Sequence, residues 1–382
     1  MEYRELGSTG LMVSEIGLGC EGMVEEDYGM AQKLLDEAER SGINYFDLYS
    51  ADPALHEALR RALDGRREKF ILQAHLCTVW KDGQYKRTRE IGEVRQALEL
   101  LLKRLDAGFI DIGMIHYVDA MDDWRAVADG PVMAYALELK RAGIIRHVGV
   151  SSHNPQVALE AVRSGLIEVL MFSVNPCYDL LPASEDCEDL WRGESYEDAL
   201  LNMDPERETL YEACQRAGVG ITVMKAFGGG DLLDARLSPA GRALTVCQLI
   251  HYALTRPAVC TVLAGARSVR QLQDCLAYEE ADAGLRDYAA AFAQMPKISW
   301  QGRCMYCGHC APCPKGIDIA AVTKFLALAR AHADIPETVR GHYALLKHPA
   351  GECIRCGACE KRCPFGVDVR GNMAAARELF GL

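Results

Sequence analysis

Residues 44–63 read NYFDLYSADPALHEALRRAL. A short apolar run, Tyr45–Tyr49, gives way to apolar positions at helical spacing over 54–64, so the stretch is one strand followed by one helix. The alternation recurs along roughly the first 280 residues. Similar short runs fall at Ile16–Gly19, Phe70–Leu76, Phe109–His116, His147–Ser152, Val169–Val174, Gly220–Ala226 and Cys260–Gly265. Amphipathic helices are expected between them near 30–40, 88–105, 131–142, 155–164, 205–217, 239–254 and 268–279, with Asn154-Pro155 and Ser268 marking starts. Eight β/α units predict an α/β fold of the (β/α)8 barrel type. An open Rossmann sheet is disfavoured because no GxGxxG turn follows the first strand. The chemistry of such a barrel belongs at the C-terminal ends of its strands, here Asp47-Leu-Tyr49, Gln73-Ala-His75, His116 and Gly149-Val-Ser151-Ser152.

The chain has 382 residues, 49% hydrophobic and 25% charged, which is an ordinary globular composition long enough for two domains. Its N-terminus lacks the apolar run of a signal peptide, and no stretch is long enough to span a membrane, so a cytoplasmic location without membrane partners is expected. A net charge of −12 argues against a nucleic-acid partner. The charge is uneven: residues 297–382 hold 12 Lys+Arg against 7 Asp+Glu, a local excess of +5. That excess suits either docking on an acidic body or neutralising anionic metal clusters.

Sixteen cysteines without an export signal read as thiols and metal ligands, and half of them lie in two tight runs. The first is Cys304-x2-Cys307-x2-Cys310-x2-Cys313-Pro314; the second is Cys353-x2-Cys356-x2-Cys359-x3-Cys363-Pro364. The second has the C-x2-C-x2-C-x3-C-P spacing of bacterial ferredoxins, in which the fourth Cys ligates the other cluster. Two [4Fe-4S] clusters are therefore expected, one on Cys304, Cys307, Cys310 and Cys363, the other on Cys353, Cys356, Cys359 and Cys313. A pair of zinc knuckles is the competing reading, but it leaves the third Cys at the same interval unexplained. Helical apolar spacing between the runs (Ile319, Val322, Phe325, Leu326, Ala329) makes this segment resemble the α-helical dicluster ferredoxins. The expected division is a barrel over 1–296 and a ferredoxin-like domain over 297–382, the clusters lying beside the barrel mouth.

Over residues 1–280 the chain resembles the aldo-keto reductases. YRELGSTGLMVSEIGLG is similar to that family's N-terminal hairpin and first strand, NYFDLYSADPALHEALRRAL to its Asp/Tyr segment, HVGVSS to its Gly-Val-Ser-Asn strand, and TVLAGARSVRQLQDCL to its C-terminal phosphate-binding turn and helix. The resemblance carries the family's Asp, Tyr, Lys and His tetrad onto Asp47, Tyr49, His75 and His116. A Tyr hydroxyl there protonates a carbonyl oxygen while a nicotinamide supplies hydride, and a cation beside the phenol eases proton loss. Here His75 stands where the lysine belongs, which makes Tyr49 a weaker acid or routes the proton through a His75–Asp47 relay. The resemblance also implies NADPH or NADH. Ser151 and Ser152 would lie at the carboxamide, with Ser152 replacing the family's Asn and Met171 its Gln. Lys225, Gly228, Gly229, Gly230, Gly265, Arg267, Ser268 and Gln271 would lie along the phosphates. A long acidic connection, residues 178–204, would cover the site with Trp191 and Tyr196, or form a plain surface loop.

Three functions are compatible with these residues. The first is nicotinamide-dependent reduction of a small carbonyl compound with Tyr49 as acid. The second is an electron-transfer reductase whose clusters pass electrons from a ferredoxin-like donor to a barrel-bound substrate. The third is a non-catalytic electron-transfer subunit.

Overall fold

The computed structural model describes all residues except 24–27, 191, 197–202, 293–301, 303, 305, 331–334 and 382. An antiparallel pair, β1 (Tyr3–Glu5) and β2 (Met12–Ser14), comes first. Eight parallel strands follow: β3 (Ile16–Gly19), β4 (Tyr45–Leu48), β5 (Ile71–Leu76), β8 (Ile110–Ile115), β9 (Ile145–Ser152), β10 (Val169–Ser173), β11 (Gly220–Met224) and β12 (Val259–Ala264). They are hydrogen-bonded in chain order, and β12 pairs with β3 to close the barrel. Each lies within two residues of its sequence-based position, because a strand buried on both faces is a short apolar run that polar residues end abruptly. An extra hairpin, β6 (Thr78–Lys81) with β7 (Gln84–Arg87), is inserted after β5.

The outer layer comprises α1 (Tyr28–Ser41), α2 (Pro53–Leu63), α3 (Ile91–Leu105), α4 (Met121–Ala128), α5 (Pro131–Arg141), α6 (Pro155–Arg163), α7 (Pro205–Ala217), α8 (Val246–Leu254) and α9 (Val269–Leu276). Three starts share one device: Asp52, Asn154 and Asp204 accept from the backbone two residues on, with Pro at the first helical position. The expected helix over 239–254 begins only at Val246. There Thr245 and Gln248 form a reciprocal capping box, while the preceding residues, with Gly241 at φ 73°, run as a loop.

Two apolar layers hold the barrel. Leu55, Leu59, Leu98, Val157 and Leu210 bury the helices against the strands, each worth about 1.5–3 kcal/mol of transfer free energy. Inside, Tyr45, Ile112, Met114, Met171 and Leu263 pack with Leu6 and Val13 of the N-terminal pair, which closes the end where the strands begin. A Cβ at Gly7 would lie 2.3 Å from the Gly218 carbonyl oxygen, so only glycine allows that approach.

After α10 (Ala289–Phe292) the cysteine-rich segment folds into α11 (Ile319–Arg330), α12 (Glu337–Ala344), α13 (Ala358–Arg362) and α14 (Val369–Phe380). Ile319, Val322 and Leu326 of α11 are buried, as their spacing requires, together with Met373 and Ala376 of α14. Tyr343 stacks on Phe380 at 3.9 Å. Among the described residues, no helix is long and apolar enough to cross a membrane.

Candidate functional site

Asp47 is the penultimate residue of β4, Tyr49 lies just beyond the strand, His75 is in β5 and His116 follows β8, so adjacent strands bring the four side chains together at the barrel mouth. Gln73, deeper in the barrel, fixes the set from below. Its Oε1 accepts the hydroxyls of Tyr45 (2.6 Å) and Thr222 (3.3 Å), which turns its Nε2 to donate to Asp47 Oδ1 at 2.6 Å. The same Oδ1 lies 3.0 Å from His75 Nε2, and His75 Nδ1 is 2.6 Å from His116 Nδ1. The Tyr85 hydroxyl closes a hydrogen bond on His116 Nε2.

These partners assign one proton order. His75 Nε2–H donates to the carboxylate, leaving Nδ1 as acceptor. His116 must then donate from Nδ1 and accept the Tyr85 hydroxyl at Nε2. His116 suits that neutral form: burial first, then His75 and Arg89, holds its pKa well below the ordinary histidine value. The Tyr49 ring completes the group, nearly parallel to His116 at 6.0 Å, and 6.3 and 5.8 Å from His75 and Tyr85.

Tyr85 is absent from the residues read from sequence because it comes from the inserted hairpin. The available signal was Asp82-Gly83 between strand-forming residues, since both turn positions have positive φ (55° and 72°) as a two-residue type I′ turn demands. Burial pushes the Tyr85 phenol up to about 12. Arg89, from the segment after the hairpin, grips Asp123 with Nε and Nη2 (2.9 and 2.7 Å) and donates to the carbonyls of His116 and Tyr117 (3.0 and 2.9 Å). The hairpin and the end of β8 are therefore clamped together.

The residues aligned with a dinucleotide divide into two halves. On the phosphate side, Gly228, Gly229 and Gly230 all have positive φ, and a Cβ at Gly229, Gly230 or Gly265 would meet open space. That cradle fits a diphosphate. Lys225 lies beside it at φ 57°, and Arg267 is exposed. Gln271 Oε1 takes the Arg267 amide (2.7 Å) and Ser268 Oγ takes the Gln271 amide (3.3 Å), so these two side chains shape the turn. The carboxamide side does not fit in the family's manner. Ser151 Oγ accepts the Tyr117 amide (2.8 Å), Ser152 Oγ donates to Asp119 (2.9 Å), and Met171 offers only a thioether that accepts from Gln73 at 3.5 Å.

The eight clustered cysteines form two cradles. Cys304, Cys307, Cys310 and Cys363 line one cavity; Cys313, Cys353, Cys356 and Cys359 line the other. Each thus combines three thiols of one run with the last of the other, a donor set that suits a four-iron cube. Arg362 ties the arms by donating to the Cys310 and Pro312 carbonyls (2.6 and 2.7 Å). Burial raises the free thiols of Cys304 to about 12 and Cys310 to about 11.

The expectation that these cradles lie beside the mouth is corrected for the first of them. Cys304 and Tyr306 share a cavity with Glu208, Tyr211 and Glu212 of α7 and with Arg256 in the turn after α8, on the outer wall. His309 pairs with Asp287 at 2.8 Å. This flank belongs to strands β10–β12, across the barrel from the β4, β5 and β8 ends that hold the histidines. Within the 178–204 connection, Trp191 lies outside the described residues. Tyr196 is buried and donates to the Leu190 carbonyl (2.6 Å), so it braces the loop and does not face a substrate.

The family model described as "Aldo/keto reductase family" matches residues 15–243, and that described as "4Fe-4S dicluster domain" matches residues 300–367. The uncharacterized oxidoreductase YqkF of Bacillus subtilis (strain 168) is 28% identical over 289 residues, covering 72% of this chain and 90% of that protein. Methylglyoxal reductase DkgA of Yersinia pestis is 28% identical over 155 residues, 39% of this chain and 48% of that one. Aldo-keto reductase AKR11C1 from Bacillus halodurans, in its holo form, superposes with a TM-score of 0.59 at 25% identity over 75% of this chain and 94% of that one.

Proposed function

The chain belongs to the aldo/keto reductase family and carries a 4Fe-4S dicluster domain, and from that premise we propose that it reduces a small carbonyl compound at the barrel mouth, with Tyr49 protonating the carbonyl oxygen. The supporting observation is the hydrogen-bonded line Tyr85–His116–His75–Asp47 beside the Tyr49 ring. Asp47 and Gln73 orient His75, and His116 presents a neutral imidazole to the mouth. As Tyr49 passes its proton to the carbonyl oxygen, the histidine pair compensates by taking one up from solvent, and that proton enters at His116 Nε2, the atom Tyr85 now bonds.

NADPH or NADH, when bound, supplies the hydride. Lys225, Gly228, Gly229, Gly265 and Arg267 would hold its diphosphate, while Ser268 and Gln271 keep the turn in shape. The two cysteine cradles would each hold one [4Fe-4S] cluster, in a domain beginning near residue 297. Cys356 is exposed, so the second cluster can exchange electrons with an external carrier such as a ferredoxin. Sixteen free thiols accord with a reducing compartment such as the cytoplasm.

The test uses anaerobically purified chain. NAD(P)H titration by calorimetry should show binding, and Tyr49→Phe should lower kcat with small aldehydes by on the order of 10²-fold or more. Absence of nicotinamide binding, or a Tyr49→Phe variant as fast as the parent, sinks the reading. Iron and sulfide analysis should give about eight of each per chain.

A further inference from the structure

Three loops that the mechanism above leaves unused converge at the mouth. They bring Asp119 from beyond β8, His153 from the end of β9, and Cys187 from the acidic insertion after β10. One potential ligand atom from each lies within 4.8 Å of the other two. Asp119 is 2% exposed and the His153 side chain 10%, whereas Cys187 is half-buried.

The hydrogen bonds around the three are those of an oriented ligand set. Asp119 Oδ1 is occupied by the Ser152 hydroxyl (2.9 Å) and the His153 amide (2.6 Å), which leaves Oδ2 facing His153 Nδ1 at 2.8 Å. The Tyr117 hydroxyl donates to Cys187 Sγ at 3.1 Å, the partner a metal-bound thiolate needs. Tyr117 itself has φ 51°, a left-handed conformation costly for an aromatic residue, and its carbonyl is held by Arg87 (2.8 Å) and Arg89 (2.9 Å). Backbone strain is thus maintained where the tyrosine meets the thiol.

We propose that Asp119, His153 and Cys187 bind a zinc ion whose fourth position is open to the mouth. One carboxylate oxygen, one imidazole nitrogen and one thiolate make a borderline-soft set that suits zinc better than magnesium or calcium, and three protein ligands with one open position mark a reactive rather than a structural zinc site. Bonds of about 2.0–2.3 Å require ligand atoms roughly 3.3–3.7 Å apart, so Asp119 Oδ2 and His153 Nδ1 separate by about half an ångström. The Cys187 thiol proton leaves to solvent, and the His153 proton moves from Nδ1 to Nε2. The open position takes an oxygen ligand, either water or a carbonyl or hydroxyl oxygen of the substrate. The site occupies the side of the mouth where Ser152 and Met171 have lost the family's carboxamide contacts. It stands or falls independently of nicotinamide binding.

Cobalt(II) is the probe, added to cluster-loaded protein after dialysis against a chelator, with iron and sulfide measured before and after. The difference spectrum should show a thiolate-to-cobalt charge-transfer band that saturates at one equivalent and disappears when zinc is added. Cys187→Ala and, separately, His153→Asn should lose it with iron content unchanged. Neither side chain lies in a barrel strand, and an unchanged circular dichroism spectrum verifies folding. Absence of the band, its persistence in Cys187→Ala, or its appearance only as iron is released would each overturn the assignment.

Discussion

On the proposed function, His75 is the residue on which the chemistry of the mouth turns. A lysine in its place would carry a charge up to a pH near its reference pKa of about 10.4. Burial, and after it the neighbouring His75 and Arg89, hold the His116 pKa well below the ordinary value, so that ring stays neutral at neutral pH. His116 therefore offers Tyr49 no charge at neutral pH, and carbonyl reduction should accelerate as the pH falls toward the His116 pKa. In His75→Lys the charge is permanent, so the profile should flatten through neutrality and the rate at pH 7 should rise about tenfold. An unchanged profile would show that the pair does not assist Tyr49. A different histidine governs stability. His56 is 2% exposed, donates from Nε2 to the Ser50 carbonyl at 3.0 Å, and is lowered by burial to about 4. A folded pKa below the unfolded value of about 6.5 means that acid favours unfolding, and the loss begins below pH 6.5 and ends near pH 4. Between pH 7 and pH 5 His56 should cost about 2 kcal/mol. Anaerobic urea midpoints should show the difference shrinking in His56→Gln.

At the scale of elements, the barrel strands were legible because each is a short apolar run closed by polar residues, and the strand ends pointed to Asp47, Tyr49, His75 and His116. What could not be read came from insertions and from short helices. The β6–β7 hairpin, α4 and α13 are too brief for periodicity to separate them from loops. Tyr85 was hidden with the hairpin because its position over the mouth follows from how the turn folds back. The turn therefore gives a test of the relay. The Tyr85 hydroxyl donates to His116 Nε2 and so favours the neutral ring; Tyr85→Phe should raise the His116 pKa and move the acid limb of the pH–rate profile upward. Gly83→Val places a β-branched residue at φ 72°, costing on the order of 1–2 kcal/mol, and should shift the limb in the same direction by loosening the hairpin. A purely structural role for Tyr85 would lower the rate without moving the limb.

At the scale of the whole molecule, the first cradle abuts the outer wall by α7, and a layer of buried aromatic and charged groups lies between it and β10. Arg256 is 2% exposed. Its guanidinium lies 4.5 Å from the Tyr252 ring and 5.6 Å from that of Tyr306, two residues from Cys304. Tyr252 and Tyr211 both donate to the buried Asp179 carboxylate at 2.6 Å, and Arg207 stands 3.4 Å from it. A fixed cation beside a cluster favours the reduced, more negative state, so the potential of a cluster on Cys304, Cys307, Cys310 and Cys363 should depend on Arg256 and not on the mouth. Arg256→Met retains most of the packing and removes the charge. It should lower that cluster's midpoint potential by tens of millivolts in an EPR-monitored redox titration, because a unit charge at partly buried range is worth about 1 kcal/mol or more. His116→Gln should leave the titration unchanged while abolishing the acid limb of turnover. Were the two effects reversed, with the mouth variant moving the potential, the first cluster would have to lie by β4, β5 and β8.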